Sequence, residues 1–268
     1  MKFYKKIIEL VVWVLILMYL ILVLGFVSDM ENEVTCKKID VKIIDKTENQ
    51  FVESADIISL FKQHENKILG YPFDSIRISD LEELILKEQH SVKNAEIFTT
   101  IDGKLNIHIK QRNPIMRIIN YNNSSYYVDN EGALMSLSKK YSAHVLIANG
   151  NINEPYNLRY TTNVFVATEN DELGRGSLLF DLYTLSNFIY NDPFWKAQIQ
   201  QIYVLDNNNF ELIPKVGDHI IEFGGIDNYK EKFRNLMLMY QKGFRAEGWN
   251  KYKSINLKYK NQVVCLKK

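Results

Sequence analysis

Five histidines, His64, His90, His108, His144 and His219, and two cysteines, Cys36 and Cys265, are the side chains with which this 268-residue chain could hold a metal or attack a substrate. A zinc site needs ligands at close, paired spacing, such as two cysteines a few residues apart or two histidines on one helix face. The histidines are scattered singly and read as surface or turn residues. The cysteines stand near opposite ends of the chain, so they make neither a metal cluster nor a disulfide framework and read as free thiols. A reactive thiol needs a basic, accessible setting. Asp129 in "YYVDNEG" has the chemistry of a general acid or base, but a turn residue needs no such role and the turn reading is preferred. "ELGRGS" has no preceding strand and no Lys-Ser/Thr, so it is not a phosphate loop. "FGG" at Phe223–Gly225 lacks the nucleophile of a catalytic elbow and reads as a strand end. No catalytic residue, metal ligand or cofactor is predicted.

The totals narrow the class further. Lys and Arg number 33 against 32 Asp and Glu, a net charge of +1, which gives no global electrostatic reason to expect nucleic acid. With 16 Tyr and 14 Phe the chain can bury a sizeable core, and 5 Pro with 12 Gly argue against long disordered linkers. The length suits one or two domains.

The first segment sets the expected compartment. Lys2, Lys5 and Lys6 precede an uncharged run from Leu10 to Val27; Asp29, Glu31 and Glu33 follow it. Eighteen residues of helix span about 27 Å, close to the ~30 Å hydrocarbon core of a bilayer. A transmembrane helix is expected over 10–27, with Leu10, Trp13, Tyr19 and Val27 as anchor residues. A cleaved signal would have a shorter apolar region and a small-residue cleavage site, which "GFVSDM" does not offer. The basic flank predicts a cytoplasmic tail over 1–9 and an external remainder. No second apolar run of that length follows, so a single pass is expected.

Beyond the anchor, "KKIDVKIIDK" alternates as a strand with Ile39, Val41 and Ile43 on one face. "ESADIISLFKQH" reads as a helix capped by Ser54, with Ile57, Ile58 and Phe61 as its stripe. "SDLEELILKEQ" reads as a second helix, with Ser79 and Glu82 at capping-box spacing and Leu81, Leu84 and Ile85 buried. Asp102-Gly103 signals a type I′ hairpin, with Ile97 and Ile101 on one face before it and Leu105, Ile107 and Ile109 alternating after it. A three-stranded sheet with two helices on one face would bury these stripes. This order, beside a membrane anchor, resembles a POTRA domain (β-α-α-β-β) over 38–112, and the resemblance implies a protein-binding, non-catalytic module.

From Asn113 the texture changes to short strands: "YYVD", "NEGALM", "AHVLIANG", then "WKAQIQQIYVLDNNNFELIPKVGDHIIEFG" as successive strands. "LLFDLYTLSNFIY" reads as a helix, and "DNYKEKFRNLMLMYQKGFRAEG" as a longer one capped by Asp227 and ended by Gly248. The apolar stripe of that helix, Phe233 to Phe244, suits a core more than a partner groove. The fold class is therefore α+β: a transmembrane helix, the POTRA-type domain, and over 113–268 a mixed β domain with a mainly antiparallel sheet and two packed helices.

Residues 254–265 alternate as one strand, with Ile255, Leu257, Tyr259, Val263 and Cys265 on one side and Asn261 alone interrupting the row. Such a strand at a sheet edge is open to β-augmentation by another chain.

"QRNPIMRI", "YYVDNEGALMSLS", "AHVLIANG", "NFELIPKVGDHIIEFG", "KEKFRNL" and "WNKYKSINLKYKNQVV" resemble successive blocks of the FtsQ/DivIB family of bacterial cell-division proteins, nearest its Bacteroidetes branch. The resemblance covers nearly the whole chain. Its tail departs at Lys267, where the family often carries an aromatic residue. The resemblance implies a non-enzymatic divisome scaffold in the cell inner membrane at the septum, with its bulk periplasmic, linking early and late division proteins. It implies FtsB/DivIC-like and FtsL-like partners and other septal membrane proteins. The open terminal strand predicts a partner contact through Tyr259, Lys260, Asn261, Gln262, Val263 and Val264, and the resemblance puts Tyr259 and Asn261 at positions the family uses in this contact. The competing class is an envelope enzyme or a transport or assembly component carrying a POTRA module. The enzyme lacks a nucleophile–base set, and the transporter lacks a series of barrel strands.

Overall fold

The structure, a computed structural model, describes residues 11–24, 34–44, 49–64, 68–154, 156, 163–165, 177–206, 208–244, 248 and 251–268. Helix α1 covers 11–24, is apolar throughout and is exposed on every side. Among the described residues no helix is long and apolar enough to cross a membrane. Of the expected anchor residues, Trp13 and Tyr19 lie in α1, while Leu10 and Val27 fall outside the described residues, as does most of "ELGRGS".

The chain divides into two compact units, Met1–Lys46 with Val52–Lys110, and Thr47–Phe51 with Gln111–Lys268. The first contains β1 (Lys38–Ile43), α2 (Ser54–Gln63), α3 (Ile78–Glu88), β2 (Val92–Thr99) and β3, which starts at Lys104 and ends at Gln111. The sheet order is β1-β3-β2. β1 runs parallel to β3, with Ile39 opposite Leu105 and Val41 opposite Ile107. Leu105, Ile107 and Ile109 are fully buried because β3 is central and alternate residues point to one face. Ile57, Leu60 and Phe61 of α2 and Leu81 and Ile85 of α3 are the buried residues of the two helices.

Three local expectations give way to tertiary demands. Ser54 does not cap α2; its hydroxyl donates to the Val41 carbonyl at 3.0 Å, and Asp56 accepts from the Glu53 N–H instead. Ser79 and Glu82 do not form a capping box: α3 begins at Ile78, and Glu82 accepts the N–H of Ile97 in β2 at 2.8 Å. The β2–β3 turn is not type I′. The Gly103 N–H bonds to the Thr100 carbonyl, and only Gly103 has positive φ, at 85°, so the loop has three residues and Ile101 points out at its tip.

The second unit is built on a nine-stranded sheet, ordered β12-β11-β10-β9-β8-β7-β4-β5-β6. Its strands are β4 (Pro114–Ile119), β5 (Ser125–Asp129), β6 (Leu134–Met135), β7 (Leu146–Gly150), β8 (Ile199–Asp206), β9 (Asn209–Pro214), β10 (Ile220–Gly224), β11 (Tyr252–Asn256) and β12 (Val264–Lys267). Three pairings are parallel, β4 with β7, β7 with β8 and β10 with β11; the rest are antiparallel. Gly150 sits at φ 104°, where a Cβ would stand 2.4 Å from the Val204 carbonyl, so β7 and β8 approach this closely only with glycine there.

Among the described residues three α-helices contribute to the core, one more than expected: α4 (Leu178–Asn191), α5 (Pro193–Gln198) and α6 (Tyr229–Leu238). "WKAQ" is helix, not strand. Asp192 accepts from the N–H groups of Phe194 and Trp195, and Pro193 fits the first helical turn, which together start α5. α6 gives way after Leu238 to a π-helical turn, Met239–Gly243. Asn228, at φ 54°, takes the cap position expected of Asp227. The Gly248 N–H bonds back to the Phe244 carbonyl at 2.9 Å. The Phe233–Phe244 stripe lies in the core.

Candidate partner-binding edge

The expected single strand over 254–265 is two strands. β11 pairs in parallel with β10, Ile221 opposite Ile255, and β12 folds back antiparallel on β11, Ile255 opposite Cys265. The reversal lies at Asn261, which has φ 58°. Asparagine tolerates this left-handed conformation better than other side chains except glycine. The turn is held by the Gln262 N–H on the Tyr259 carbonyl at 3.3 Å, and by the Lys258 N–H on the Asn256 side chain at 2.9 Å. The interruption of the apolar row at Asn261 was the sequence signal for this turn.

Tyr259, Lys260, Asn261 and Gln262 therefore lie in the hairpin connection, Val263 just before β12, and Val264 in its first position. Leu257 and Cys265 face the core, while Val264 and Leu266 are 45% and 56% exposed on the opposite side. Among the described residues β12 has a strand neighbour on one side only. The Lys268 N–H donates to the Lys251 carbonyl at 3.0 Å. Alternation along β12 then turns the N–H groups of Leu266 and Val264 inward and those of Cys265 and Lys267 outward. Leu266 and Lys267, absent from the expected site, belong to the edge itself.

Tyr259 to Gln262 also line a cleft of about 400 Å³ with Gly224, Gly225 and the first turn of α6. Lys232 reaches it from α6, donating to the carbonyls of Gly225 at 2.7 Å and Phe223 at 3.1 Å. Burial lowers its pKa. At the far end of β12 the Lys268 ammonium pairs with Asp218 at 3.1 Å.

The residues with catalytic chemistry do not converge on this edge. Asp129 is buried; one oxygen accepts the N–H groups of Glu131 and Ala133, and the other accepts from Arg112 at 3.0 Å. It organises the β5–β6 turn. Cys36 is buried and Cys265 half-buried, both are free, and burial raises both thiol pKa values. Among the described residues no group of three or more His, Cys, Asp or Glu could hold a metal ion.

His219, expected at the surface or in a turn like the other histidines, is instead buried just before β10, its Nε2 2.9 Å from the Tyr240 hydroxyl. Burial lowers its pKa, against a smaller upward pull from Asp218 and a downward one from Lys268. A depressed histidine binds fewer protons folded than unfolded, so its contribution is complete above the unfolded pKa of ~6.5 and is lost as pH falls below it. Asp181 in α4 acts in the opposite sense: burial, with Asp227 nearby, raises its pKa to about 6. Its carboxylate therefore destabilises as pH rises from about 4 through 6. Asp181→Asn is expected to raise stability at pH 7.5, by at most ~3 kcal/mol, and to have little effect at pH 4. Denaturant melts across this range check it; an equal effect at both pH values would contradict it.

No curated protein matches the chain. A POTRA-like domain family matches residues 34–110. The family described as FtsQ/DivIB, C-terminal related, matches residues 113–266, more than half of the chain and the unit that carries the β11–β12 edge. The chain belongs to the FtsQ/DivIB family.

Proposed function

We propose that this protein is a non-enzymatic divisome scaffold that links early and late cell-division proteins at the septum. Family membership supplies the cell-division role. In this reading residues 1–9 are cytoplasmic, 10–27 cross the inner membrane once, and a POTRA domain over 38–112 and a β domain over 113–268 are periplasmic. The support for the anchor is the uncharged run and its flanks, together with a helix whose apolar side chains are exposed all round. A helix of that kind is at home in lipid.

The docking element is β12. A segment of an FtsB/DivIC-like partner adds as a strand along its open side, main chain supplying the hydrogen bonds and Val264, Leu266 and Tyr259 the side-chain contacts. FtsL-like and other septal proteins complete the assembly. The observation that carries this reading is the one-sided pairing of β12 with two exposed apolar residues along it. Lys258, Lys260 and Lys267 discourage pairing with a second copy and favour an acidic segment.

The test is Lys267→Pro, which removes an outward N–H and leaves the inward bonds to β11 in place. The folded variant should lose the partner by about tenfold or more in titration calorimetry. Tyr259→Ala should cost about 1–3 kcal/mol of binding if its ring seats in the partner. Val264→Pro removes an inward N–H, so it probes the hairpin instead. Full partner affinity in both folded variants, Lys267→Pro and Tyr259→Ala, would exclude this edge.

A further inference from the structure

The first unit has one end with an unusual surface. Two loops flank the segment 34–38, and both are bound to it through main chain. On one side Cys36 and Tyr71 share an N–H to carbonyl bond of 2.9 Å, Gly70 donates to the Cys36 carbonyl at 2.8 Å, and Phe73 donates to the Val34 carbonyl at 3.2 Å. On the other the Lys37 N–H donates to the Gly103 carbonyl at 2.7 Å, and a Cβ on Gly103 would stand 2.9 Å from the Thr35 carbonyl. Each loop presents large apolar groups to solvent: Leu69 and Tyr71 are 59% and 41% exposed, and Ile101 is 92% exposed. The isoleucine at the hairpin tip and the leucine beside the glycine turn leave most of their surface uncovered in this unit.

The sequence says what lies nearby. Only six residues, Ser28–Glu33, separate the apolar run ending at Val27 from Val34. Fully extended they reach ~25 Å. The opposite end of the unit, at the far ends of β1 and β3, lies a further ~25 Å along the eight residues of β3. Of the two ends, the one carrying the exposed leucine, tyrosine and isoleucine is the one tethered to the apolar helix. Lys37 and Lys38 are exposed at the same end, and Lys104 pairs with Asp102 there.

We propose that this end of the first unit seats on the phospholipid surface, with Leu69, Tyr71 and Ile101 entering the headgroup boundary and Lys37 and Lys38 against lipid phosphates. Tyrosine suits that depth because its ring is apolar and its hydroxyl stays hydrated. Short apolar insertion from two loops bound to the same segment orients the unit relative to the bilayer, which a single covalent tether alone does not. The proposal rests on the anchor reading, since without an inserted α1 nothing brings this end to lipid.

The test uses the unaltered full chain in vesicles of phosphatidylethanolamine and phosphatidylglycerol. Two photoactivatable phospholipids are compared, one with its diazirine beside the headgroup and one with it deep in the acyl tail, and adducts are mapped by mass spectrometry. The tail probe should label 11–24. The headgroup probe should label 68–73 and 100–104 severalfold above the exposed helix end at Lys87. In the double variant Leu69→Asp, Ile101→Asp the loop adducts should disappear while those on 11–24 persist. Labelling of 11–24 with the two loops no better labelled than Lys87 would overturn the proposal and leave the anchor standing. No labelling of 11–24 would overturn both.

Discussion

Phe233→Ala is expected to destabilise the second unit by about 3–5 kcal/mol, with its melting temperature falling on the order of 10 °C. Phe233 is fully buried in α6, and its ring meets Phe188 of α4 at 4.6 Å, Trp195 of α5 at 5.1 Å and Phe223 of β10 at 5.1 Å between centroids. One ring thus joins all three helices to the sheet. Rigid aromatic neighbours cannot close over the vacated volume, so the cavity cost adds to the lost transfer free energy. Phe233→Leu should cost less because it leaves a smaller void. Chemical denaturation of the full chain, followed by tryptophan fluorescence, reads the effect. A loss below about 1 kcal/mol would mean that the cluster repacks and that α6 is not fastened here.

Asp129→Ala is expected to cost about 3 kcal/mol by a different route. Its carboxylate accepts two backbone N–H groups, from Glu131 at 2.8 Å and Ala133 at 2.7 Å, and the Arg112 guanidinium at 3.0 Å. Alanine leaves those donors without their acceptor in a site where the Asp129 side chain is almost wholly enclosed. Part of the cost is recovered because Arg112 is partly solvated and can hydrate. Asp129→Asn keeps the shape and one acceptor oxygen, and should retain more than half of the stability lost in the alanine variant. Amide exchange at Glu131 and Ala133 should quicken in Asp129→Ala before the rest of the sheet opens. Unchanged exchange there would remove the turn role assigned to this carboxylate.

Much of the fold was legible in the residues because it depends on short-range periodicity. The alternation of Leu105, Ile107 and Ile109 predicts a half-buried strand, and β3 carries all three on its buried face. The three- and four-residue recurrence of Leu178, Leu182, Leu185 and Ile189 predicts α4, and all four are buried. Where the reading failed, a distant group had taken over a local one. Glu82 satisfies Ile97 in β2 instead of its own helix start. Asp192 and Pro193 begin a helix just where Trp195 and the residues after it read as strand, and Trp195 then packs on Phe233 and Tyr240.

The candidate edge shows the same division. The sequence by itself determined the alternation over 254–265 and that Ile255, Leu257 and Cys265 would share a face, because alternation has the same period in one strand as in two. It also determined the family and the uncharged run that precedes the folded units. Only the tertiary structure decided that the segment reverses at Asn261, that β12 and not β11 is the outermost strand, and which N–H groups face outward. Those facts depend on β11 lying parallel beside β10, a pairing between residues some thirty positions apart, with Ile220 opposite Ser254. Register between distant strands is set by which arrangement buries Ile221, Phe223, Ile255 and Leu257 together, and no local pattern carries that information.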